Sequence, residues 1–313
     1  MSRLLLLCPF RRRAQSISSP FTRRIHTGEA LSAIDARLSN LKAYELKDVA
    51  IQCGVSTSGR KNEVCDRIRH RFASAMSSIT RHDHFEADQL VPTSVVSLDL
   101  GYRNLAHIHL RHDNTILAWD RIDLDIPEES SFHPSISAPF VRRYIQSSLE
   151  PLLLCKEDDV GAVLVEQQRY REAGAAAVLE TTIRVNCVEA MLWYALYDMV
   201  DRHDSLQTIP LVAIQRQAVD RIWAPEWEKF ITPSLAMSKR SKTYQKKQAC
   251  SRLVEHWLRE DQVVTCRDTR IKDGFFQQGK KDDLSDCLLQ AMTWYQWRRF
   301  MVDYIRDTIS STA

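Results

Sequence analysis

The chain has 313 residues, 44% of them hydrophobic, enough for one large or two modest domains with a real core. No apolar run approaches the ~20 residues needed to cross a bilayer, and Leu4 to Leu7 is far too short, so no membrane partner is expected. The formal net charge of +3 is too small to speak for or against nucleic acid, which leaves the local distribution of charge to be read.

The first 28 residues hold six arginines (Arg3, Arg11, Arg12, Arg13, Arg23 and Arg24) and no acid, the first being Glu29. Arg-rich, acid-free composition predicts a mitochondrial transit segment over 1–28 and hence a matrix location. The apolar stretch is too short for a secretory signal. Removing those six arginines from +3 leaves −3 for the rest of the chain. The eight cysteines are scattered with no C-x-x-C, which argues against a zinc site or a disulfide framework and fits a reducing compartment.

A small helical module is expected over 35–73. Leu38 to Ala50 has apolar positions at helical spacing, Cys53-Gly54-Val55 breaks it, and a second helix follows Gly59-Arg60-Lys61. From Arg37 to Arg81 nine Lys and Arg face four Asp and Glu. A helix start flanked by Arg60 and Lys61 suits a phosphate, although a helical hairpin with a solvated basic face has the same composition. Residues 74–93 are polar and mixed in charge, and read as a linker.

The main domain is expected over 94–313. Val95 to Leu100 is an apolar run carrying one carboxylate, Asp99. After Gly101, Ala106-His107-Ile108-His109-Leu110 alternates with period two, which predicts a hairpin with Asp99 on a buried strand. A buried lone carboxylate needs a cation or a partner. Thr115 to Ile122 reads as a third strand, 126–138 as a loop, and Phe140 to Leu154 as an amphipathic helix. Val163-Leu164-Val165 is another buried run, ending in Glu166. Ala175 to Val200 reads as a long apolar helix and Leu211 to Ile214 as a short strand. Strands alternating with helices after an initial meander predict a mixed α/β sheet.

Two basic stretches follow. Lys239, Arg240, Lys242, Lys246 and Lys247 surround Tyr244 without an acid, and Phe275 and Phe276 precede Lys280 and Lys281. These residues are candidates for a nucleic-acid strand, with the aromatics stacking on bases; a solvated helix start and a buried Phe pair account for them equally. The last motif, Lys280-Lys281-Asp282-Asp283-Leu284-Ser285-Asp286, opens a helix that runs through Trp294 and Trp297. Asp283 and Asp286 share one helical face, and so do Asp282 and Asp286. Acids in a first turn are also ordinary partners of the helix dipole.

Converging hard oxygen ligands suit Mg²⁺ or Mn²⁺, and two such ions can activate a water and stabilise the leaving oxygen in phosphodiester cleavage. The order of strand-borne Asp, strand-end Glu and helix-borne Asp pair resembles the RNase H-like nuclease superfamily. More closely, Ser97 to Asn104, Val165 to Gln168 and Lys280 to Asp286 resemble the fungal mitochondrial Holliday-junction resolvases, relatives of bacterial RuvC. Leu41, Leu46, Gly54, Gly59, Arg60, Lys61 and Ile68 resemble the SAP motif, a small DNA-binding module. The resemblance implies an RNase H-like mixed sheet flanked by helices, with the small helical module in front. It implies a homodimer that cuts four-way junction DNA symmetrically, with Asp99, Glu166, Asp283 and Asp286 as metal ligands and Asp282 as a rival to Asp283. A non-catalytic SAP-bearing DNA-binding protein and an RNase H-like ribonuclease remain alternatives. Exposed apolar positions on the 175–200 helix are the expected dimer face.

Overall fold

A computed structural model describes residues 24–80, 83–127, 133–155, 158–169, 178–233 and 241–312. Strand β1 (Ile25–His26) leads into α1 (Thr27–Asn40), α2 (Ala43–Gln52) and α3 (Lys61–Ser77). Their apolar faces meet through Ile34, Leu38, Leu46, Ile68 and Phe72. Backbone N–H groups at the two helix starts are capped from within, Lys42 N by Glu45 at 2.7 Å and Arg60 N by Glu63 at 2.9 Å. Gly54 ends α2 with φ of 69°, a left-handed conformation that favours glycine. A Cβ there would stand 2.5 Å from the Trp297 ring.

Expected boundaries shift on both sides of the helical module. The segment read as a linker is folded: α3 runs to Ser77, β2 (His84–Phe85) pairs antiparallel with β1, and a 3₁₀ turn spans Ala87–Leu90. Phe85, Ala87 and Leu90 are buried in the core of the helical module, so a few apolar side chains pin an otherwise polar stretch. At the other end, Ile25 to Gly28 belong to the folded module, while residues 1–23 of the expected transit segment lie outside the described residues.

The sheet comprises β3 (Ser94–Leu100), β4 (Asn104–Arg111), β5 (Thr115–Asp123), β6 (Val160–Gln167), β7 (Leu211–Gln215) and β8 (Thr265–Cys266), in the order β7-β6-β3-β4-β5-β8. The meander β3-β4-β5 is antiparallel, and the flanking strands run parallel to their neighbours. Every residue of β3 is buried, as expected of a strand covered on both faces. One face packs on α4 (Pro134–Tyr144), the turns that continue it to Leu153, and α6 (Glu180–Arg202). The opposite face packs on α7 (Arg216–Trp227), α8 (Lys242–Glu260), α9 (Thr269–Gln277) and α10 (Asp282–Thr312). The long apolar helix thus begins at Glu180.

Helix α10 spans the molecule. At 1.5 Å per residue its 31 residues extend about 46 Å. Its first half lies on the sheet: Trp119 Nε1 donates to Leu284 O at 3.1 Å, and Gln290 Nε2 donates to Ser97 Oγ and Leu98 O at 3.0 and 3.2 Å. Its second half enters the helical module, where Met301, Val302, Tyr304 and Ile305 complete the core.

Candidate active site

Side chains alternate along a strand, so Asp99 lies on the same face as Ser97, which Gln290 of α10 holds. Leu98 pairs with Val165 in the parallel register of β3 and β6. The next residues, Asp99 and Glu166, therefore emerge side by side at the carboxyl ends of two central strands. Asp286, one turn into α10, meets them. Burial is the main cause that pushes the Asp99 carboxyl well above the usual range, with the charge of Glu166, hydrogen bonding to Glu166 and the charge of Asp286 adding to it. Burial raises Asp286 as well, and Glu166 adds to that, against the attraction of Arg216.

Arg216, the first residue of α7, bridges the cluster. Its guanidinium donates to Glu166 Oε1 at 3.4 Å and to Asp286 Oδ2. Burial works against its charge, but Asp286, Glu166 and Asp99 outweigh burial and hold the guanidinium protonated. Sequence reasoning passed over Arg216. Its signal was position: β7 pairs parallel with β6, with Gln215 opposite Gln167, so the residue after β7 opens at the same sheet end as Glu166, where open α/β sheets build their sites.

The other two acids of the motif face basic neighbours. Asp283 accepts from Arg121 Nε at 3.1 Å and from Lys280 Nζ at 2.8 Å. Asp282 accepts from Lys247 Nζ at 2.8 Å. Its carboxyl sits below the usual range: burial alone would raise it, and the bond to Lys247 overrides burial. The structure thus brings together Asp99, Glu166 and Asp286 and flanks them with Asp282 and Asp283. Among the described residues no three Asp, Glu, His or Cys side chains already form an ion cage. Still, three buried carboxyl groups share one guanidinium, and their hard oxygen donors fit a divalent cation.

Of the basic candidates, Lys246 is paired with Asp220, and Lys281 Nζ donates to Glu255 at 2.7 Å. Lys242 is exposed, and Lys239 and Arg240 lie outside the described residues. Arg60 and Lys61 are exposed at the start of α3, with Lys61 Nζ also donating to Ser39 O at 3.1 Å. Phe275 is not available to a base: it is buried and stacked on Trp119, with ring centroids 4.7 Å apart. Phe276 packs edge-on against it.

Residues 95–275 and 267–301 match the family described as mitochondrial resolvase Ydc2 / RNA splicing MRS1. The chain belongs to this family. The matched range takes in Asp99, Glu166, Arg216 and the whole Asp282–Asp286 motif. The mitochondrial cruciform cutting endonuclease 1 of Schizosaccharomyces pombe is 25% identical over 284 residues, covering 85% of this chain and 96% of that protein. The crystal structure of the yeast mitochondrial Holliday junction resolvase Ydc2 superposes with a TM-score of 0.56 at 22% identity, covering 86% of this chain and 98% of that one. This likeness bears out the expected fold, a mixed sheet between two helical layers.

Proposed function

We propose that the chain is a metal-dependent endonuclease of mitochondria that resolves four-way DNA junctions as a homodimer. The observation that carries this reading is the buried cluster of Asp99, Glu166 and Asp286 at the carboxyl ends of two central strands. A fold has no use for three converging carboxylates, because each resists ionisation beside the others. A divalent ion makes them an asset.

Asp99, Glu166 and Asp286 would hold the ion, with Asp283 as the next ligand once it leaves Arg121 and Lys280. Mg²⁺ or Mn²⁺, when bound, supplies Lewis-acid polarisation of a phosphate and activation of a water. The chain's own contribution is position and field. Gln290 ties α10 to the backbone beside Asp99, so strand and helix ligands move as one body. Lys247 and Lys280 rim the cluster and draw the phosphate backbone toward it. In the helical module, exposed Arg60 and Lys61 add a phosphate contact remote from the acids.

The family also takes in proteins described by RNA splicing. A splicing partner or a DNA-binding protein that does not cut needs no buried acid cluster, which favours the nuclease reading. Cleavage tests it directly. Wild type with Mg²⁺ is expected to place paired nicks in a synthetic four-way junction. Asp99→Asn is expected to bind the junction, to leave it intact, and to melt no lower than wild type in chelator, since Asn keeps the shape of a carboxyl whose charged form burial and Glu166 disfavour. Cutting by Asp99→Asn at the wild-type rate would sink the assignment. A panel of flap, duplex and RNA–DNA hybrid separates resolvase from ribonuclease.

Helix α6 supports the dimer. Val188, Leu192, Leu196 and Met199 are buried, while Ile183, Tyr194 and Tyr197 are 44%, 76% and 58% exposed. Their spacing of 11 and 3 residues puts these three on one face. Tyr194→Glu with Tyr197→Glu is expected to yield monomers in sedimentation; an unchanged dimer would place the contact elsewhere.

A further inference from the structure

Where the helical module meets α10, two arginines stand together without a counter-charge. Arg71 of α3 lies over the Trp297 ring at 5.6 Å, and Arg298 lies over the Trp294 ring at 4.7 Å. Arg71 Nε donates to Cys53 O at 3.1 Å. Arg298 Nη1 is buried with no hydrogen-bond partner, and so is the indole Nε1 of Trp297. Among the described residues neither arginine pairs with a carboxylate. The nearby Cys53 thiol is pushed up to about 12 by burial, so it stays neutral and supplies no charge. Ring stacking offsets part of the cost of burying one cation, but two like charges side by side repel.

We infer that Arg71, Arg298 and the Trp297 indole form an anion site at the seam between the helical module and the nuclease sheet, and that it takes a backbone phosphate of the junction DNA. Two donors without a partner, Arg298 Nη1 and Trp297 Nε1, together with the Arg71 guanidinium present what a phosphate accepts, and both arginines are half-buried, not sealed in the core. Burial and the proximity of Arg71 pull Arg298 down to about 9, the direction that a bound anion would reverse. Gly54 lets the α2–α3 loop close onto Trp297, which brings α3 and its arginine to α10. The DNA assignment rests on the function proposed above; the anion site itself does not.

The test compares full-length wild type with Arg298→Met, which keeps the stem and removes the charge. Melting is followed in chloride and in inorganic phosphate at equal ionic strength, and junction binding is followed as a function of salt. Phosphate is expected to raise the wild-type melting temperature by several degrees and to leave Arg298→Met unmoved. The variant is expected to melt no lower than wild type in chloride, because an isosteric apolar replacement of an uncompensated buried cation is neutral or better. Its slope of log affinity against log salt should fall by about 1. A variant that melts lower in chloride, with a wild type indifferent to phosphate, would show that the arginines only stack on the rings and would overturn the site. Junction binding with an unchanged slope would overturn the DNA assignment alone. Failure of wild type to bind the junction would sink the functional reading and the DNA assignment together, and the phosphate shift would still report on the anion site. Arg71→Gln provides a second removal of charge from the same pair.

Discussion

Arg216 ties the acid cluster together through ion pairs to Glu166 and Asp286. It stands between Glu166 and Asp286 with about a quarter of its side chain exposed, so neither the attraction nor the loss of solvent is at its extreme. Removing one partner of a largely buried ion pair leaves the other charges uncompensated, which is the costly case. Arg216→Gln is therefore expected to lower stability in chelator by about 2 kcal/mol, with most of the loss recovered in Mg²⁺, as read by urea unfolding under both conditions. Equal loss in both would mean that Arg216 serves packing and not charge. Asp99 and Glu166 were legible in the sequence because each is a lone carboxylate ending an apolar run. Arg216 was not, because an arginine opening a helix is indistinguishable from a solvated one until the strands are placed. The same blindness applies to Asp282 and Asp283. Helical spacing allowed either beside Asp286, and only Lys247 on one side and Arg121 on the other show where their carboxylates turn.

Strand β4 carries a pH dependence of its own. His109 Nε2 lies 2.6 Å from Ser94 Oγ, and His107 Nδ1 lies 3.3 Å from Tyr144 Oη, both inside the core. Burial pulls His109 down from 6.5 to about 4 and lowers His107 too. Between those values the unfolded chain takes up a proton that the folded one refuses. Stability is therefore complete above about 6.5 and is lost as pH falls toward 4, by up to about 3 kcal/mol for His109. Urea midpoints for wild type and His109→Gln should differ less at pH 5 than at pH 7. A parallel decline of the two with acidification would remove His109 as the cause. The alternation around both histidines was enough to read β4 as a strand. It could not show that both histidines are buried, since β4 lies between β3 and β5 under helices from both faces, and a half-exposed strand alternates in the same way.

The two modules are one body because α10 belongs to both cores. The sequence predicts a helix from the Asp282–Asp286 motif through Trp294 and Trp297, and α10 is that helix. What the sequence did not reveal is that residues 301–305 leave the sheet and serve the module at the other end of the chain. Apolar positions continue without a break, so nothing in the pattern marks the change of partner. Ile305→Ala is expected to cost about 3 kcal/mol, with faster amide exchange in α1 to α3 than in β3 to β6. Uniform loss of protection would show a single cooperative unit instead. The shared helix also sets an order of events during synthesis. Residues 27–77 leave the ribosome long before residues 301–305, and Ile34, Leu38, Ile68 and Phe72 must then wait without that cover until Met301 to Ile305 emerge. The helical module, made before the sheet, is finished after it, so a nascent chain stalled short of residue 301 should carry a formed sheet and an exposed, chaperone-binding helical module.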